Sequence, residues 1–275
     1  MKKLTSFELH AHLLRSALIA LSLMAVRVVP FALAQQTHRE KPVKRYGSRT
    51  PSQSLPGNNL PGVDTPATAS CRSIIDEGFD DIANLPGWVL INHSQPLGAS
   101  DWFQGNDAVF PAFDGLPDAY IAANSNNGSG LATISNWLLT PEVNLRDGST
   151  MTFYTRTLES SGRPDRLQVR MSTNGASTNV GVTAFDVGDF INFLLDINPT
   201  YAIGGYPETW TQFTINISGV PPRTTGRLAF RYFVENGGPE GINSNYIGID
   251  RAVYCLTTVR VIPTPRPRPT PAPRR

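Results

Sequence analysis

Two thiols and a run of carboxylates are the residues of this chain best equipped for chemistry. Cys71 and Cys255 are its only cysteines. In an exported chain one such pair reads as a disulfide. Closing nearly the whole intervening segment, it would stabilise folding by up to about 4 to 5 kcal/mol on the chain-entropy model. If the two cysteines face each other across antiparallel first and last strands, Glu77 faces Ile249 and lies beside Asp250. Two carboxylates so placed repel unless they are protonated or bridged by a cation. Ca2+, which gathers carboxylate, carbonyl and water oxygens, suits such a pair outside the cell. Asp76, Asp80 and Asp81 crowd the same end, and Asp101 and Asp118 are available as further ligands. A solvated acidic turn has the same composition, so spacing alone leaves both readings open.

Other chemistries find less support. Between the cysteines there is one histidine, His93, in the polar run Asn92-His93-Ser94-Gln95. That setting suits a solvated loop better than a catalytic triad. Neither a His-Glu-x-x-His metal motif nor a Gly-x-Ser-x-Gly elbow occurs there. Paired acids for glycoside hydrolysis depend on separation in space, so a carbohydrate-active hydrolase stands as an alternative to a non-catalytic binding module. A purely structural surface protein is a further alternative. Of the four tryptophans, Trp88 and Trp137 sit in apolar sequence and read as packing. Trp102 and Trp210 follow polar stretches and are the candidates for offering a ring face to a sugar. Asn92-His93-Ser94, Asn127-Gly128-Ser129 and Asn216-Ile217-Ser218 fit the glycosylation triplet, a pattern that arises often by chance.

The elements that must position these residues read as strands. In Arg166-Leu167-Gln168-Val169-Arg170-Met171-Ser172 and Gln212-Phe213-Thr214-Ile215-Asn216-Ile217 the apolar side chains fall at every second position, as a strand with one buried face requires. Met151 to Thr155 and Leu228 to Val234 are rich in aromatic and β-branched residues. Asn127-Gly128, Asp147-Gly148, Asn174-Gly175 and Asn236-Gly237-Gly238 supply tight turns between strands. Many short strands so punctuated predict a sandwich or jelly roll. Phe185 to Ile197 departs from the pattern: Phe190, Phe193 and Leu194 are spaced as on a helix, which predicts a short helical or irregular insertion.

Residues 1–34 combine Lys2 and Lys3, an apolar run from Leu13 to Val26 and the ending Ala32-Leu33-Ala34, the signature of a secretory signal peptide cleaved after Ala34. Residues 35–70 carry few large apolar side chains and read as a flexible linker. Residues 71–258 form the expected domain. Residues 259–275 form a Pro/Arg-rich tail, whose prolines from Pro263 onward favour an extended polyproline-II segment. No apolar stretch after the signal peptide is long enough for a helical membrane span, so no transmembrane insertion is expected. From Cys71 to Cys255 there are 10 Arg, no Lys and 19 acidic residues, a net charge of −9. Such a domain repels phosphate backbones, and nucleic acid is not an expected partner.

The order Glu77-Gly78-Phe79, Leu85-Pro86-Gly87-Trp88, Asp101-Trp102-Phe103, Asn136-Trp137-Leu138-Leu139-Thr140-Pro141, Leu167-Gln168-Val169-Arg170, Trp210-Thr211-Gln212-Phe213, Arg231-Tyr232-Phe233 and Tyr246-Ile247-Gly248-Ile249-Asp250 resembles the choice-of-anchor J domain of bacterial exported proteins. It is also similar to the related cleaved-adhesin and MAM domains, and the resemblance covers essentially the whole domain. It implies an all-β jelly-roll β-sandwich at the cell exterior. It also implies a structural Ca2+ held by Glu77 and Asp250, with Asp101 and Asp118 as weaker ligands. The expectation that follows is a secreted, non-catalytic adhesion or ligand-binding module whose partner is an extracellular glycan or a surface protein.

Overall fold

A computed structural model of the protein describes residues 69–259. The expected signal peptide, the tail beyond Val259 and all but the last two residues of the expected linker lie outside them. Two antiparallel sheets form a jelly-roll sandwich. The first runs β11 (Thr211–Asn216), β8 (Thr150–Thr157), β13 (Tyr246–Val259), β5 (Ile121–Asn124) and β4 (Phe103–Gln104), with β1 (Ala69–Glu77) also paired to β13. The second runs β10 (Asn192–Ile197), β9 (Leu167–Ser172), β12 (Thr225–Gly237), β6 (Gly128–Leu139) and β2 (Val89–Asn92). The short strands β3 (Gln95–Leu97) and β7 (Val143–Asn144) pair with β6 and β12. Among the described residues no helix is long and apolar enough to cross a membrane.

Alternation places the core. Along β8, Met151, Phe153, Thr155 and Thr157 are buried while the residues between them are half-buried. Leu167, Val169 and Met171 of β9 and Leu228, Phe230, Tyr232 and Val234 of β12 join Met151 and Phe153 between the sheets. Burying each large apolar side chain of this kind contributes about 1.5–3 kcal/mol. Strands β6 and β12 are buried on both faces, because a loop crosses the outside of their sheet. Val180 and Phe190 from that loop pack on Trp137, Leu139 and Ala229. Arg231, 2 % exposed, fastens the loop by donating to the carbonyls of Ala184 and Asp186, and its guanidinium lies over the rings of Trp137 and Phe233.

That cover corrects the helical reading of Phe185 to Ile197. Residues up to Ile191 are irregular and Asn192–Ile197 form the edge strand β10. Phe190 is apolar because it covers Trp137, with ring centroids 5.7 Å apart, and not because it lines a helix face.

Cys71 and Cys255 form a disulfide with Cα atoms 5.5 Å apart. They are diagonal neighbours: Cys71 pairs with Thr257 and Cys255 with Ser73. The register therefore differs from one in which the cysteines face each other. An irregularity between Ser73 and Ile75 shifts it by one more residue, so Glu77 faces Ala252 and not Ile249. Strands β5 and β1 occupy one edge of β13 in succession, at Tyr246–Ile249 and from Ala252 onward. Asp250 and Arg251 fall in the gap between them.

Candidate ligand-binding cleft and acidic corner

Where β2 turns into β3, the chain from Asn92 to Asp101 folds back against the end of β6. Asn92, Leu97, Gly98, Ala99, Ser100 and Asp101 line a cleft of about 340 Å3 there. Side-chain amides hold its walls. Asn92 donates to the carbonyls of Ser100 and Asn127 at 3.0 and 2.9 Å, and its own oxygen accepts from the Ser94 N–H. Asn127, fully buried, donates to the Ser100 hydroxyl and the Asp101 carbonyl, each at 3.0 Å. Gly98 runs so close to the Asn126 carbonyl that an added Cβ would collide with it, which leaves glycine as the residue that fits.

Asp101 is the one acid among the lining residues. Burial raises its pKa, and the Trp102 N–H at 2.7 Å and the neighbouring Asn136 amide offset that only in part. Asn136 is paired with Asn92 across the β2–β6 ladder and is fully buried. Its amide lies near enough to Asp101 to hold that carboxyl's pKa down, but neither its nitrogen nor its oxygen reaches full hydrogen-bond geometry, and Trp102 Nε1 and His93 Nδ1 also lack a protein partner. All four such atoms among the described residues belong to these three side chains. A buried polar group without a partner costs about 1–3 kcal/mol. Such groups are exceptions in folded proteins and are commonly satisfied by ordered water, an ion or a ligand. An amide that donates and accepts, a carboxylate that accepts and an indole N–H that donates are suited to hydroxyl groups.

The acids expected to meet at one end of the domain are arranged differently. Asp250 is fully buried; its Oδ2 accepts from the N–H groups of Phe113 and Asp114 at 2.8 and 3.1 Å, and its Oδ1 from Arg251 N–H at 2.6 Å. Burial pushes its pKa up to about 6 against the opposing pull of those N–H groups. Arg251 bends out through a positive φ of 51° and reaches Asp76 at 3.2 Å and Asp114 at 3.8 Å. Glu77 Oε1 accepts from the N–H of Phe79 at 2.8 Å. Asp118 contributes its backbone carbonyl, which receives the Gln104 amide at 2.7 Å. Asp101 lies in the cleft. Among the described residues no three His, Cys, Asp or Glu side chains come together as a metal-holding group. Glu77 Oε1 and both Asp250 oxygens thus accept backbone N–H groups.

The two tryptophans singled out for ligand contact are both engaged in packing. Trp102 is 4 % exposed and belongs to the core between the sheets, so only its indole nitrogen remains to be satisfied. Trp210 packs on Phe110 and Tyr120 outside the first sheet and donates its indole N–H to the Pro111 carbonyl at 2.8 Å. Sequence reasoning gave no cleft role to Asn136 or Asn127, named there for other reasons, and did not single out Gln104. A signal for Asn136 was present: in Ile134-Ser135-Asn136-Trp137-Leu138 a polar amide holds an inward position between two core residues.

Neither a protein-family model nor a curated protein matches the chain. Solved structures with a similar course of the chain include the K1 cleaved adhesin domain of Lys-gingipain from Porphyromonas gingivalis W83, at 21% identity over 66% of this chain and 96% of that one, TM-score 0.46. The K3 cleaved adhesin domain of the same protein matches at 21% identity over 68% and 99%, TM-score 0.45. The C-terminal family 22 carbohydrate-binding module of Clostridium thermocellum Xyn10B matches at 10% identity over 69% and 97%, TM-score 0.39.

Proposed function

We propose that the domain is an extracellular, non-catalytic binding module that receives a glycan in the cleft at the end of β2, lined by Asn92 and residues 97–101. One observation carries the reading: the buried polar atoms without a full hydrogen bond belong to His93, Trp102 and Asn136, which adjoin the cleft-lining residues Asn92 and Asp101 along the chain or across the β2–β6 ladder. A sugar offers hydroxyls that donate and accept, which matches the Asn136 amide, the Asp101 carboxylate and the Trp102 N–H in chemical type. The volume suits one terminal sugar better than a long chain segment. The signal-peptide pattern of residues 1–34 and the resemblance to choice-of-anchor J domains support a place outside the cell, free or held at a surface.

The test is a glycan array probed with the purified chain, followed by titration of any ligand found. Asn136→Leu and Asp101→Asn should each weaken binding about tenfold or more, the loss expected for one or two hydrogen bonds in a desolvated site. Their folds should remain intact by circular dichroism. A ligand whose affinity ignores both changes, or no ligand on the array, would count against the cleft. Release of new reducing ends from a bound glycan would favour the hydrolase instead.

A further inference from the structure

The Gln104 side chain is placed as few amides are. Its Nε2 faces three backbone carbonyls, Asp118 at 2.7 Å, Phe79 at 2.9 Å and Tyr120 at 3.4 Å. Its Oε1 accepts from the Ile82 N–H at 3.0 Å, which fixes the end of the amide that carries the hydrogens. Carbonyl oxygens converging on one point from two segments are the kind of ligand a hard cation such as Ca2+ takes, although those of Asp118 and Tyr120 also accept the N–H groups of Tyr120 and Gly105. Here the point is filled from within. Four carboxylates of the surrounding corner accept backbone N–H groups: Glu77 from Phe79, Asp81 from Ala83, Asp114 from Gly115 and Asp250 from three. Every one of these oxygen sets is met by the positive end of an N–H dipole.

We infer that Gln104 does the work of a divalent cation in this corner, its amide drawing together the Phe79, Asp118 and Tyr120 carbonyls so that the native chain folds without calcium. The inference is independent of the glycan reading, since it concerns β4 and its neighbours and not the cleft. It also makes the corner convertible. Replacing the amide nitrogen by a carboxylate oxygen would set four oxygens against one another, an arrangement that at neutral pH and above a bound cation relieves and that at lower pH protonation of the new carboxyl relieves.

Thermal unfolding of the purified, disulfide-intact chain tests this in chelator and in about 5 mM Ca2+. The native chain should melt at the same temperature in both, within about 1 °C. Gln104→Met, similar in length but without donors, should melt about 5 °C lower or fail to fold, with no rescue by Ca2+. Gln104→Glu should be destabilised in chelator and regain about 5 °C or more in Ca2+. A native chain whose melting temperature falls in chelator and recovers with Ca2+ overturns the inference and restores a metal to the corner. So does a Gln104→Met chain as stable as the native one. A Gln104→Glu chain that ignores Ca2+, or does not fold in its presence, also overturns it.

Discussion

Asp250 shows how a carboxylate can be buried and still answer to pH. Burial raises its folded pKa to about 6, above the roughly 3.9 of an unfolded aspartate. A raised carboxyl favours the folded state when protonated. Its contribution is therefore fully present below about pH 4 and is lost as the pH climbs through about 6. Asp250→Asn removes that dependence. Measured from pH 4 to pH 7, the melting temperature of the variant should improve steadily relative to the native chain, and a constant difference would show that Asp250 does not titrate there. Asp250 was singled out in the sequence by a cysteine register that does not hold and by the family resemblance. Its partners were not, because they are backbone N–H groups of Phe113 and Asp114, more than a hundred residues away and indistinguishable from any others in the sequence. Asn136 is the converse case, visible as a polar break in an inward apolar row but not assignable to a cleft until β2 was laid beside β6.

At the scale of elements, periodicity served where one face was buried and failed where a strand met a covering loop. The alternation at Leu167–Ser172 and Thr211–Asn216 corresponds to β9 and β11. The phenylalanines after Phe185 answer to the outer surface of a sheet, whose spacing owes nothing to the local chain. Register failed for a related reason: a disulfide specifies proximity, and proximity admits diagonal as well as opposed pairs. Strand β1 pairs only with β13, so Cys71–Cys255 should be its principal anchor. Changing both cysteines to serine should lower stability by up to about 4 kcal/mol. In hydrogen exchange the amides of β1 should lose protection first, while those of β8 against β13 persist. Uniform loss of protection across the sandwich would instead make the bridge a support of the whole fold.

Over the whole molecule, the first and last described residues lie side by side, Ala69 opposite Val259, with the bridge just inside them. A domain held by both of its flanking segments, as an adhesive module under flow would be, is pulled at these two points. Tension there peels the β1–β13 ladder open from its end, one residue pair at a time. The peeling stops at Cys71, after which the load crosses the sulfur–sulfur bond to Cys255 and leaves the residues between them slack. In single-molecule pulling on the oxidised chain, no unfolding step from the sandwich should appear before covalent rupture. The reduced chain should extend at low force by nearly the full length of the domain. The bridge thus acts as a mechanical bypass, holding the cleft's geometry steady while force runs past it.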